Sequence, residues 1–246
     1  MKYSISIPQF DVDGFDGGGL RSYLTRAEEL GFEGGWTIEQ IIGPSPMIAP
    51  MELLAWAAAC TTTLRLGVAV LITSLHDPLQ LASTVTAVDR LSHGRLELGV
   101  APGGGRRKFE AFGVDPATFI SSFTEGLQLM KAAWSDEPRV TFHGRFRDVD
   151  DLPIAPKPVQ RPHPPIWFGA NAPRAIARAV RHGDAFMGPG VDAVPVSGTP
   201  SDVVRGLREV IDAGAQTLLL HPVGASLVED REQMERLAAE VIPQLS

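Results

Sequence analysis

A single cysteine, Cys60, stands in 246 residues, so neither a disulfide nor a multi-thiolate metal site can form within the chain. Basic residues are also few. There are 22 Lys and Arg against 29 Asp and Glu, a formal net charge of −7. No basic face is then available to neutralise a phosphate backbone, which argues against a nucleic-acid partner. No uninterrupted apolar run reaches the about 18 residues of a membrane span, and no charged start leads into an apolar segment. The chain is therefore expected in the cytoplasm, away from the membrane. No GxGxxG follows the first predicted strand, which counts against an open dinucleotide-binding sheet.

What the chain does have is a regular alternation of strands and helices, with 44% apolar residues to fill one large core over 1–246. "YSISIPQ" reads as a strand, residues 20–30 as a helix stopped by Gly31, and "GGWTIEQ" as the next strand. A helix over 51–62 leads into "RLGVAVLI", whose near-continuous apolar character fits a parallel strand covered on both faces. A helix over 78–91, the strand in "GRLELGVAPGGG" and a helix over about 118–134 follow, and then the irregular Pro-rich "DLPIAPKPVQRPHPP". Further pairs lie in "IWFGANAPRAIARAVRHGDAFMGPG" and "TPSDVVRGLREVIDAGAQTLLLHPVG", and "DREQMERLAAEVI" closes the chain as an amphipathic helix. Seven strands are predicted, beginning near Tyr3, Gly35, Arg65, Arg95, Pro165, Asp184 and Gln216, where a (β/α)8 barrel needs eight. The expected architecture is an α/β TIM barrel, shortened or missing one unit near residues 188–200. Within that stretch 191–196 offers at most a minimal strand.

In such a barrel the chemistry sits at the C-terminal ends of the strands. Those ends form a Gly-rich rim with few acids, which suits a flat uncharged ring better than a metal. No Lys stands at a predicted strand end to form a Schiff base, which disfavours an unrelated barrel lyase or isomerase. At one end, "WTIEQ", an acid and an amide, Glu39 and Gln40, lie side by side before a Gly-Pro-Ser-Pro turn. Gln40 can donate and accept hydrogen bonds but cannot take a proton near pH 7. His76 and His221 also fall at strand ends, where an imidazole can serve as acid or base or simply pack. "GANAPRAI" combines a strand end, Pro173 in a first helical turn and the cation of Arg174. It reads either as a phosphate anchor or as a helix capped by Asn171. "GVAPGGGRRKF" lacks the Lys-Ser/Thr ending of a Walker loop. Its Arg106 and Arg107 fit either an acidic cofactor tail or a solvated basic pair.

Word order carries a further expectation. "AEELGFEGGWTIEQ", "LRLGVAVLITSLHDPLQLASTVTAVDRLSHGRLELGV", "PKPVQRPHPPIWFGANAPRAIARAVRHGDAF", "GTPSDVVRGL" and "LAAEVIPQL" together resemble the luciferase-like monooxygenase family over nearly the whole chain. The resemblance implies a TIM barrel, usually dimeric through helices near 51–91. It implies FMN or coenzyme F420 held at the C-terminal mouth, and oxidation or reduction of a small organic substrate. NAD(P)H or a flavin reductase is implied as a partner. Glu39, Gln40 and His76 would then be the catalytic positions. Phe10, Ile72, Thr73, Ser74, Val100, Ala101, Gly103, Gly169, Ala170, Asn171, Ala172 and Arg174 would contact the cofactor. An irregular strand end, sometimes with a non-prolyl cis peptide, is implied near Thr73 and Ser74. Two departures stand out: the missing unit, and Gln40 where many members have His. They leave a non-catalytic flavin-binding or cofactor-free barrel as the alternative to an oxidoreductase.

Overall fold

The computed structural model describes residues 1–10, 14–170, 172–188 and 197–245. Seven strands form one parallel sheet: β1 (Lys2–Ser6), β2 (Gly34–Thr37), β3 (Arg65–Ile72), β4 (Leu96–Ala101), β7 (Ile166–Gly169), β8 (Ala185–Met187) and β9 (Thr217–Leu220). Their spatial order is β8-β7-β4-β3-β2-β1-β9. Each strand lies beside its predecessor in the sheet, and the last returns to the first, as right-handed crossovers in a closed barrel require. The exception is the seam between β8 and β9, which carries no strand pairing among the described residues. The chain is thus a shortened TIM barrel with the seam where the sequence predicts it. The minimal strand considered at 191–196 lies outside the described residues.

The helices α1 (Gly17–Glu29), α2 (Pro50–Cys60), α3 (Pro78–Leu91), α5 (Phe119–Trp134), α6 (Pro173–His182), α7 (Pro200–Asp212) and α8 (Leu227–Arg236) cover the sheet's outer face. Strand alternation sorts the side chains. Ile5, Leu66, Val68, Leu98, Val100, Ile166 and Phe168 pack outward against the helices, while the inner positions hold small residues, the Arg65–Glu97 pair and two tryptophans. Trp36 and Trp167 meet edge to face inside the barrel, with ring centroids 5.7 Å apart. Trp134 on α5 is buried and donates its Nε1–H to the Ala82 carbonyl at 3.1 Å.

Two elements were not foreseen. Residues 139–153, unassigned or irregular from sequence, form an antiparallel hairpin of β5 (Arg139–His143) and β6 (Asp148–Pro153). Its strands are mostly exposed, and only Val140 and Val149 are buried, so the alternation is masked by charge. The pairing also shifts register between Val140 and Phe142, which breaks the period of two. The second is the short helix α4 (Arg106–Phe112), in a segment expected to be a loop. Its start is the bare Gly105, with no side-chain cap to signal it, and Gly113 stops it in the left-handed region.

Candidate functional site

Three strand ends are tied together at the mouth by side chains from β1 and β2. Gln9, just past β1, is 3% exposed. Its amide donates to the carbonyls of Ile38 and Ile48 at 3.0 and 3.1 Å, and its oxygen accepts from the Ile38 N–H at 2.6 Å. Gln9 thereby fixes the segment that carries Glu39 and Gln40. Sequence reasoning missed it, and the signal was available: a lone amide as the last residue of the predicted strand "YSISIPQ".

Glu39 turns inward from that segment, with its side chain 2% exposed. One carboxylate oxygen accepts the Ile72 N–H at 2.6 Å and the other lies 2.7 Å from His76 Nε2. An acid at the end of β2 therefore holds both the end of β3 and the imidazole beyond it. Burying a carboxylate is tolerated because both oxygens have donors. His76, its ring 29% exposed, sits where a mouth ligand can reach it. Gln40 does not join this pair, and its Nε2 is buried with no hydrogen-bond partner.

β3 ends irregularly. Its pairing with β4 shifts register between Val68 and Leu71, and the Ala69–Val70 peptide is cis. The resemblance implied such a bond near Thr73 and Ser74; it lies a few residues earlier, and Thr73–Leu75 form a single 3₁₀ turn instead. Gly99 on β4 admits this bend, since a Cβ there would fall 2.0 Å from the Val68 carbonyl oxygen. The two strand ends are also linked beyond the sheet. Ser74 Oγ donates to the Pro102 carbonyl at 2.6 Å. Gly103, at φ +73°, passes so close to Ile72 that a Cβ would meet its Cγ2 at 2.1 Å.

The other sequence-chosen positions distribute as follows. Phe10 is 58% exposed and pairs with Met47 in an isolated bridge. Val100 is fully buried and packs outward into the helical core, whereas its neighbour Ala101 approaches Gly169. Ala170 donates its N–H to the Met187 carbonyl at 3.3 Å, which joins the ends of β7 and β8. Ala172 begins α6 without a side-chain cap, and Arg174 in its first turn is exposed. Asn171 lies outside the described residues. His221, past β9, accepts or donates at Nδ1 with Ser6 Oγ at 2.7 Å, so it too is held at the rim. No group of three or more His, Cys, Asp or Glu side chains in a metal-holding arrangement occurs among the described residues.

Residues 8–244 match the family model described as luciferase-like monooxygenase. The chain belongs to this family. Among curated relatives, a protein of Sinorhizobium fredii, y4vJ, is 32% identical over 158 residues, 64% of this chain and 45% of its own length. An F420-dependent glucose-6-phosphate dehydrogenase of Kineococcus radiotolerans is 28% identical over 229 residues, 88% of this chain and 64% of that protein. The oxygenase component of a flavin-dependent trigonelline monooxygenase of Acinetobacter baylyi is 29% identical over 64% of this chain and 44% of its own. The chain spans about half the length of most curated relatives it matches. Among solved structures, the monooxygenase RslO1 of Streptomyces bottropensis superposes with a TM-score of 0.84 at 21% identity over 100% of both chains. The F420-dependent tetrahydromethanopterin reductase of Methanopyrus kandleri does so at 0.78 and 17% identity, over 100% of this chain and 99% of that one. These superpositions establish the shared fold. Two of the curated relatives are, by name, an F420-dependent dehydrogenase and the oxygenase component of a flavin-dependent monooxygenase.

Proposed function

We propose that the protein is an oxidoreductase that binds coenzyme F420 or FMN at the barrel mouth and acts on a small organic substrate. The observation that supports this reading best is the Glu39–His76 pair at the end of β3, one partner buried and the other reachable. With Glu39 ionised, Nε2 carries the proton of their hydrogen bond and Nδ1 is left to accept or return a proton. Gln40 cannot do this, so proton handling at the mouth falls to His76, with Glu39 fixing its tautomer and orientation.

The residues present fit such a cofactor. Thr73 Oγ1 and Gln40 Nε2 are buried polar atoms without partners at the mouth, and Gly104 and Gly105 leave open space where side chains would stand. Ala69, Val70, Ala101 and Gly103 would lie against the ring. The uncapped first turn of α6 with Arg174 would receive its phosphate. When bound, either cofactor supplies the ring chemistry, hydride transfer for both and oxygen chemistry for the flavin. The chain's own part is to position the ring and substrate, exclude water and move the proton at His76. The Kineococcus relative, aligned over 88% of this chain, favours F420. Were FMN used, a separate reductase would be the expected partner. A homodimer through α2 and α3 is expected, with cytoplasmic placement; among the described residues no helix is long and apolar enough to cross a membrane.

The test is direct. The purified protein is titrated with FMN and with F420 while cofactor fluorescence is followed. Saturable quenching by one of them is expected, and no binding of either at about 100 μM, a free energy of only about −5.5 kcal/mol, would sink the proposal. If one binds without turnover across a substrate panel, the non-catalytic alternative takes its place.

A further inference from the structure

Beside His76 a narrow cleft of ≈ 30 Å³ enters the wall between the end of β3 and α5. Its apolar lining includes Leu127 and Met130, and its polar lining comes from Thr73, Ser74, His76, Ser122 and Arg147, Ser74 being engaged with the Pro102 carbonyl. The donors around it are underused. Thr73 Oγ1 is buried with no partner, and the Ser122 hydroxyl makes no hydrogen bond among the described residues. The Arg147 guanidinium donates only to the neighbouring Phe146 carbonyl, at 3.1 Å, and stands 3.8 Å from Asp77. Arg147 is nonetheless held in place. The carboxylate of Glu125 on α5 accepts the N–H groups of Arg145, Phe146 and Arg147 at 2.8, 2.7 and 2.8 Å, which pins the tip of the β5–β6 hairpin against the cleft. Nearby acids are already engaged: Glu125 by these amides, Glu39 by Ile72 and His76, and Asp77 by the first turn of α3.

We infer that this cleft is a subsite for the carboxylate group of a small organic acid, which names the substrate class for the function proposed above and rests on that reading. The chemistry selects an anion, because one guanidinium and two free hydroxyls converge where no free carboxylate lines the wall. The volume selects a small one, since ≈ 30 Å³ holds two or three water-sized atoms, a carboxylate rather than a phosphate. An acid seated there would place its adjoining carbon beside His76, the proton-handling group at the mouth.

The test uses the whole 246-residue chain without cofactor and reads the imidazole resonances of His76 by NMR, assigned with His76→Gln, as sodium acetate is added against acetamide at constant ionic strength. A saturable acetate shift is expected, absent with acetamide, lost in Arg147→Gln, partly kept in Arg147→Lys and weakened about tenfold in Ser122→Ala. Circular dichroism of each variant checks that the hairpin and core persist. Equal response to acetate and acetamide, no saturable response, or an acetate response that survives Arg147→Gln would overturn the subsite. The cofactor titration is a separate measurement. Acetate binding with no cofactor binding would fault the proposed function and leave the anion site standing, and the reverse result would do the opposite.

Discussion

The two ends of the barrel are built to different rules. At the N-terminal end the buried charged groups are saturated, and only the Tyr3 hydroxyl is buried there without a partner among the described residues. Arg95, 8% exposed, donates all five N–H bonds: to the Ser92 carbonyl at 2.7 Å, to Thr61 Oγ1 and the Leu64 carbonyl at 2.8 Å, and to the Ala58 and Thr61 carbonyls at 3.0 Å. It thereby closes the C-terminus of α2, where carbonyls lack helical partners and a cation suits the dipole. Asp89, fully buried, accepts from the Val159 and Gln160 N–H groups at 2.6 and 3.1 Å and from the Gln160 side chain at 2.7 Å. Gln160 in turn reaches Arg65, which pairs with Glu97, and Glu97 accepts from Trp167 Nε1 at 2.6 Å. At the mouth, by contrast, two of the three buried partnerless side-chain atoms among the described residues are found, on Gln40 and Thr73. One end spends its polar groups on the fold, and the other holds some in reserve for a ligand.

The largest expected effect comes from breaking the saturated end. Arg95→Met removes five hydrogen bonds and leaves buried carbonyls unpaired, so a loss of about 3 to 5 kcal/mol is expected in urea denaturation. Arg95→Lys recovers little, because an ammonium cannot span the fork. Equal stability in Arg95→Met and the parent would show that this network is dispensable. At the mouth the order of effects reverses. Glu39→Gln keeps the shape and the Ile72 contact but removes the charge facing His76, so about 10 to 100-fold of kcat is expected to be lost, with about 1 kcal/mol of stability. A kcat unchanged in Glu39→Gln would remove the proton role from the pair.

The same contrast explains what could be read in advance. The phrases that carry the resemblance, "VDRLSHGRLELGV" and "PKPVQRPHPP", contain Asp89, which binds Gln160, Glu97, which Arg65 links to Gln160, and Arg95, which closes α2, all at the N-terminal end. They are legible because each residue answers a fixed backbone demand, and they mark the fold rather than the chemistry. The strand count and the seam were legible for a similar reason, since parallel strands buried on both faces leave continuous apolar runs. The hairpin and α4 were not, because exposed strands and an uncapped short helix leave no periodic signal. At the mouth the sequence pointed to Glu39, Gln40 and His76, but which two would meet depends on where the bend in β3 sends residue 76. No spacing encodes that. Arg147 and Ser122 were missed altogether: their neighbourhood exists only once the hairpin tip is pinned to α5.

A smaller effect lies at the same N-terminal end, where Glu28 on α1 grips the loop before β3. Burial alone would raise its pKa, but hydrogen bonds from the N–H groups of Thr62, Thr63 and Leu64 and from the Thr63 hydroxyl prevail and hold it at about 2 against an ordinary 4.5. Because the folded value is the lower, the contribution is complete above about pH 4.5 and is lost as pH falls towards 2. With solvent screening, on the order of 1 to 2 kcal/mol is expected to disappear across that window, and Glu28→Gln should flatten that part of the stability curve. An identical acid limb in both proteins would assign the loss to other carboxylates.

The smallest effect on stability should come from Thr73→Val, and its smallness is the point. A hydroxyl paired within the protein costs about 1 to 3 kcal/mol when removed from a buried site, because its partner is left unsatisfied. Thr73 Oγ1 has no such partner, so an isosteric methyl removes a desolvated polar atom and strands nothing. Denaturation midpoints are therefore expected to stay level or rise, by less than about 1 kcal/mol. Acetate binding beside His76 should weaken in the same variant. If Thr73→Val instead destabilised the protein as a saturated position does, the hydroxyl would be part of the fold, and the mouth would hold one donor fewer for a ligand.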